Sequence, residues 1–180
     1  DGWEEISAES LMERCQVSSM ACPHCFMACG KIAEVKRGRH QGLRIMGPQY
    51  ETIYAFGGLC LVKSIEEIIY LNDLCDRLGM DTITAGNLAA FAIEASSIKK
   101  IKENLHYGDP DGIAEILTKI AHRKGVGKIL SEGVRHADIN EYASPRSVLP
   151  RLLSFDKAQN PYSPAFVYSV RSNSMYIANY

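Results

Sequence analysis

The sequence lacks any run of ~18 apolar residues, which excludes a membrane-spanning helix. It lacks an excess of either charge as well: 20 Lys and Arg stand against 21 Asp and Glu in 180 residues, for a formal net charge of -1. That balance excludes the broad basic surface that grips nucleic acid. The residues after Asp1 do not follow the charged, apolar and small-residue order of a signal peptide, so the expected compartment is the cytoplasm. Internal repeats and low-complexity tracts are missing too. With 46% hydrophobic and 23% charged residues, the composition is that of a packed domain rather than a disordered chain.

What the chain does have is a concentration of cysteine. Three of its six cysteines fall within eight residues of the stretch ACPHCFMACGK. Cys22-Pro-His-Cys25 reads as a redox dithiol only if the first cysteine opens a helix after a buried strand, and QVSSMA is a poor strand that leaves Cys29 without a role. Structural zinc normally takes four Cys or His ligands, and only His40 or Cys60 is available to complete the set. The spacing Cys-x2-Cys-x3-Cys suits a cubane iron-sulfur cluster held by three thiolates from one loop and a fourth from a distance. Pro23 stiffens such a loop, Gly30 lets its backbone pass close, and His24 reads as a solvated bystander. Cys15, Cys60 and Cys75 are expected as buried small hydrophobes.

Around the cysteines the pattern predicts a mainly α fold: a helical domain over residues 1–142 with a small β-hairpin near the cysteine loop, and an irregular tail over 143–180. Ser7 opens a short helix to Cys15, and KIAEVKRGRHQGLRIM suggests two strands about a turn at Arg37 to Gly42. Ser64 and Glu67 form a capping-box pattern ahead of Ile65, Ile68, Ile69, Leu71, Leu74, Cys75 and Leu78, with Gly79 as the stop. Further helices are expected over Ile83–Ala95, Asp111–Lys124 and Lys128–Ala137. From Ala143 onward, prolines and serines replace periodicity.

The ordered set ACPHCFMACGK, GPQYETIYAFGG and LNDLCDRLGMDTITAGNLAAFAIE resembles the aldehyde ferredoxin oxidoreductase family, the tungsten enzymes of anaerobes, over residues 6–137. The resemblance implies a 4Fe-4S cluster on Cys22, Cys25 and Cys29, beside a tungsten (or molybdenum) bis-pyranopterin. The family's Asp-x-x-Gly-Leu-Asp pterin pattern is matched by Asp76, Gly79 and Asp81, with Met80 in place of leucine. Glu51 matches the glutamate near the metal and is the candidate for proton transfer, while Gln49 stands where the family usually has glutamate. Thr84 and Asn87 come just after the pterin pattern and are weaker candidates for lining the site. The implied reaction oxidises a small-molecule aldehyde to its carboxylic acid with water as oxygen source, and electrons leave through the cluster to ferredoxin. A homo-oligomer is compatible with this reading.

The resemblance also implies a piece of a longer protein. The family has an N-terminal β-rich domain, and a third domain carries the fourth cluster cysteine and a second pterin motif; the tail from Ala143 does not look like the continuation. Two other readings stand beside it. One is a truncated, non-catalytic iron-sulfur or interaction module. The other is a molybdopterin oxidoreductase of the formate dehydrogenase kind, with Cys60 of Gly57-Gly58-Leu59-Cys60 as fourth cluster ligand.

Overall fold

In the computed structural model, which describes residues 2–133, the mainly α architecture is present with a small antiparallel sheet at one side. After a 3-10 turn at Trp3–Ile6, α1 (Ala8–Arg14) starts where the Ser7 hydroxyl accepts the Ser10 amide. Three strands come next, β1 (Cys15–Met20), β2 (Gly30–Val35) and β3 (Arg44–Met46), in the order β1-β2-β3.

The strand β1 corrects the sequence reading of QVSSMA. Its residues are mostly exposed, with only Cys15 buried, so no hydrophobic alternation announces it. The segment is extended because it pairs with β2 from Cys15↔Val35 to Met20↔Gly30. Edge strands of this kind draw their stability from the ladder rather than from their own side chains.

The remainder is helical. A short α2 (Tyr50–Ile53) runs into a π-helical turn at Tyr54–Leu59, which the sequence did not announce. Then come α3 (Ile65–Leu78), α4 (Thr82–Ser97), α5 (Pro110–Ala121) and α6 (Gly127–Leu130). Ser64 caps α3 by accepting the Glu67 amide at 3.3 Å, but the reciprocal half of the capping box is absent: the Glu67 carboxylate turns to Arg39 and His40 instead. The third expected helix stops at Ala121, before Lys124, because Arg123 adopts a left-handed φ of 52°. Of the helix expected over Lys128–Ala137, the described part is helical only to Leu130; residues beyond 133, including the expected tail from 143, lie outside the described residues.

The central element is α3. Ile65 and Ile69 pack with Leu11, Val35 and Ile45 beneath the sheet. Ile68, Leu71, Leu74 and Cys75 face the larger core, which α4 fills with Leu88, Phe91 and Ile93 and α5 with Ile113, Ile116 and Leu117. Each such Leu, Ile or Phe contributes about 1.5–3 kcal/mol on full burial. The alanine-rich α4 is buried on nearly all sides, as its lack of charge predicts, and its one buried carboxylate, Glu94, accepts the Tyr107 hydroxyl at 3.1 Å. Among the described residues no helix is long and apolar enough to cross a membrane.

Candidate functional site

Cys22, Cys25 and Cys29 occupy the loop that joins β1 to β2, and all three are exposed. The loop folds back on itself, with the Cys25 amide donating to the Cys22 carbonyl at 3.0 Å. His24 and Ala28 hold positive φ of 65° and 45°, a conformation that costs a non-glycine residue free energy and is concentrated at functional sites. The stem beneath is closed by Met20 and Gly30. A Cβ on Gly30 would approach the Met20 carbonyl oxygen to 2.9 Å, so this glycine serves strand pairing, a different reason from the loop passage expected of it.

Beyond Cys22 the backbone runs through a series of turns rather than a helix, so the dithiol geometry does not form. The residues available to complete a zinc site are engaged elsewhere. His40 is stacked on Tyr70 at 4.4 Å and bonded to Glu67, while Cys60 is fully buried with its thiol 3.4 Å from the Gly86 carbonyl. Burial pushes the Cys60 thiol far up, away from the thiolate that a metal takes. Among the described residues no three His, Cys, Asp or Glu side chains converge as a single metal ion requires. Three exposed thiols in one loop fit a cluster that takes one thiolate per iron and its last ligand from elsewhere. Cys15 and Cys75 are buried like Cys60, so none of the three offers that last ligand from the surface.

The second group lies at the junction of α3 and α4. Gly79 ends α3 at φ 68°, with its amide donating to the Asp76 carbonyl at 3.2 Å and that of Met80 to Cys75 at 2.9 Å, the paired bonds of a Schellman cap. Among the described residues a Cβ added at Gly79 would meet nothing within 4 Å, so they leave the approach to this turn open. On either side stand Asp76 and Asp81, both exposed. The Asp76 Oδ2 accepts the Asn72 side-chain amide at 2.9 Å, and the Asp81 Oδ2 caps α4 by accepting the Thr84 amide at 2.7 Å. Each carboxylate thus has one oxygen tethered and one without a partner among the described residues. Both act on the Cys75 thiol beneath them, which burial first and these two negative charges next push up to about 12.

Glu51 sits half-buried in the first turn of α2, where the helix dipole favours a carboxylate, rather than enclosed in a pocket. Its neighbour Thr52 is 2% exposed and shares a 2.8 Å hydrogen bond with Thr82, the first residue of α4 after Asp81. Thr84 is exposed, and Asn87 spends its side-chain amide on the Ile83 carbonyl at 2.8 Å.

The three motifs join through short contacts. Lys31, two residues after Cys29, accepts the Gly47 amide at 2.7 Å; Gly47 lies against the Asn72 side chain; and Asn72 donates to Asp76. Asn72, Thr52 and Thr82 were not singled out from the sequence. A signal for Asn72 was there, since position 72 falls on the apolar stripe of α3 with Ile65, Ile68 and Cys75. Two carboxylates beside an open glycine turn suit the amino and ring N-H groups of a pterin as acceptors, so the residues present fit that group.

A family model described as aldehyde ferredoxin oxidoreductase, domains 2 and 3, matches residues 1–147. The WOR-like subunit of an aliphatic sulfonate oxidoreductase from Pyrococcus furiosus is 31% identical over 140 residues, covering 74% of this chain and 22% of that protein. A tungsten-containing aldehyde ferredoxin oxidoreductase of the same organism is 30% identical over 137 residues, covering 72% of this chain and 22% of its own length. Its counterpart in Thermococcus kodakarensis is 28% identical with the same coverage. The chain therefore matches only about a fifth of the length of these relatives.

Proposed function

Because the chain belongs to the aldehyde ferredoxin oxidoreductase family, we propose that it forms the cluster-binding and half of the pterin-binding part of an oxidoreductase that converts aldehydes to carboxylic acids and delivers electrons to ferredoxin. Cys22, Cys25 and Cys29 hold a 4Fe-4S cluster, whose fourth ligand comes from outside the described residues. Asp76 and Asp81 accept the pterin's N-H groups with their free oxygens across the open face of Gly79. Bound there, a tungsten or molybdenum bis-pyranopterin supplies the two-electron redox chemistry. Oxidation of an aldehyde by water releases two electrons and two protons, and Glu51 is the carboxylate that accepts a proton at the reacting oxygen. Three exposed thiols suit the reducing cytoplasm.

The observation that carries this reading is the paired carboxylates flanking Gly79, each with one oxygen fixed and one open. Relatives named for an aldehyde and for an aliphatic sulfonate match at nearly equal identity, 30% and 31%. This segment accordingly carries machinery common to both rather than the choice of substrate.

The test is anaerobic purification of the protein from its full reading frame, followed by assay of iron, pterin and tungsten or molybdenum. All three are expected. Protein that carries iron but no pterin would support a non-catalytic iron-sulfur module instead, and protein with neither sinks both readings.

A further inference from the structure

We propose that Asn72 is a positioning residue that sets the Asp76 carboxylate for its ligand and ties it to the loop leading to Glu51. The inference rests on the reading of Asp76 as a pterin acceptor. Asn72 is 4% exposed and stands among buried apolar residues of α3, where Ile65, Ile68, Leu71 and Cys75 surround its place on the helix. An apolar side chain would fill that position without a polar group to satisfy.

What the asparagine adds is a hydrogen bond one helical turn along, from its Nδ2 to the Asp76 Oδ2 at 2.9 Å. Asp76 needs such a partner. It lies in the last turn of α3, where the helix dipole disfavours a negative charge, and it is exposed; among the described residues its one side-chain hydrogen bond is that to Asn72. The bond fixes one oxygen and leaves the other without a partner among the described residues. A neutral donor does this without the positive charge that would compete with the ligand for the carboxylate. The Asn72 Oδ1 lies against Gly47, where an added Cβ would come within 3.4 Å of it, and Gly47 is itself anchored to the Lys31 carbonyl. One buried side chain thereby lies beside the segment after β3, which leads to Glu51, and bonds the carboxylate at the end of α3.

The experiment measures pterin and iron per protein in the anaerobically purified full-reading-frame protein and in Asn72→Ala, Asn72→Asp and Asp76→Asn. Asn72→Asp is close to isosteric but sets an acceptor of like charge against Asp76. Loss of an outer partner of this kind is expected to lower pterin occupancy about 10-fold, while iron per protein stays at the wild-type value. Equal losses of iron and pterin would make Asn72 a folding residue only and overturn the proposal. Full pterin in both Asn72 variants, with pterin lost in Asp76→Asn, would also overturn it while leaving Asp76 as a ligand. Full pterin in Asp76→Asn would remove the underlying reading. Should the first two variants not accumulate, Asn72→Ser, whose hydroxyl is too short to reach Asp76, is read in the same way, and its failure to fold also counts against the proposal.

Discussion

The hydroxyls of Thr52 and Thr82 meet at 2.8 Å, joining the helix that carries Glu51 to the helix that Asp81 caps. Thr52 is 2% exposed, so its hydroxyl has no water to fall back on. Thr52→Val is expected to cost ~1 kcal/mol of stability from the broken bond. Thr82→Val should cost a similar amount, and the double variant less than the sum, because the two share one interaction. Urea unfolding of the four proteins checks this; full additivity would show that the hydroxyls do not interact.

Gly79 and Gly86 should fail for opposite reasons when changed to alanine. Gly79 has open space but a φ of 68°, so Gly79→Ala costs about 1–2 kcal/mol through the backbone alone. Gly86 lies inside α4, yet a Cβ there would come within 3.0 Å of the Ala55 backbone in the π-helical turn. Gly86→Ala is expected to cost about 1–3 kcal/mol by overpacking. Its melting loss should be relieved in part by removing the Ala55 Cβ, which a Cβ on Gly86 would meet at 2.5 Å, as in an Ala55→Gly background, whereas Gly79→Ala gains nothing from that change.

Cysteine accessibility separates the loop thiols from the rest. Iodoacetamide added to iron-free native protein should modify Cys22, Cys25 and Cys29 and spare Cys15, Cys60 and Cys75 until the chain unfolds, as mass mapping would show. Cys60→Ala should leave the iron content unchanged, whereas Cys25→Ser should lower it. Iron lost on removing Cys60 would restore the alternative in which that residue ligates the cluster.

Stability should fall at both ends of the pH range. At the alkaline end, the Cys75 thiol is pushed from 9.0 up to about 12, so above pH 9 the folded chain retains a proton that the unfolded chain releases. Stability therefore drops as pH rises from 9 toward 12, by at most about 1.4 kcal/mol per unit for this thiol. Cys75→Ala should make that limb shallower in pH-dependent urea titrations, leaving the part that the raised Cys60 and Cys15 thiols contribute.

At the acid end, burial alone would raise Glu67, but hydrogen bonds from Arg39 and His40 outweigh it and hold its carboxyl below the ordinary 4.5. Its contribution is present above that value and is lost as pH falls through the lower folded one. Arg39 also bonds Asp111 at 2.9 Å, clamping the β2–β3 turn to both α3 and α5. Arg39→Ala should cost ~1 kcal/mol or less near neutrality, since the ion pairs are largely exposed, and should weaken the acid dependence. An unchanged acid limb would assign it to other carboxylates.

The helices were legible where local chemistry decides them. Ser64 caps α3, Gly79 ends it, and the apolar spacing of α5 marks its buried face before any contact is known. What escaped the sequence depends on distant partners. The segment QVSSM becomes β1 only because β2 lies beside it, and the π-helical turn at Tyr54–Leu59 has no periodicity of its own. At the site, the motifs named Asp76, Gly79 and Asp81, but not the buried hydrogen bonds that hold them. Thr52 and Asn72 each look unremarkable in sequence, and only their burial beside Thr82 and Asp76 gives their polar atoms a purpose.

The stem of the β1–β2 hairpin closes from Cys15↔Val35 to Met20↔Gly30 without using any of the three thiols at its tip. Under the proposed reading, the ladder that holds this hairpin together therefore involves none of the cluster's ligands.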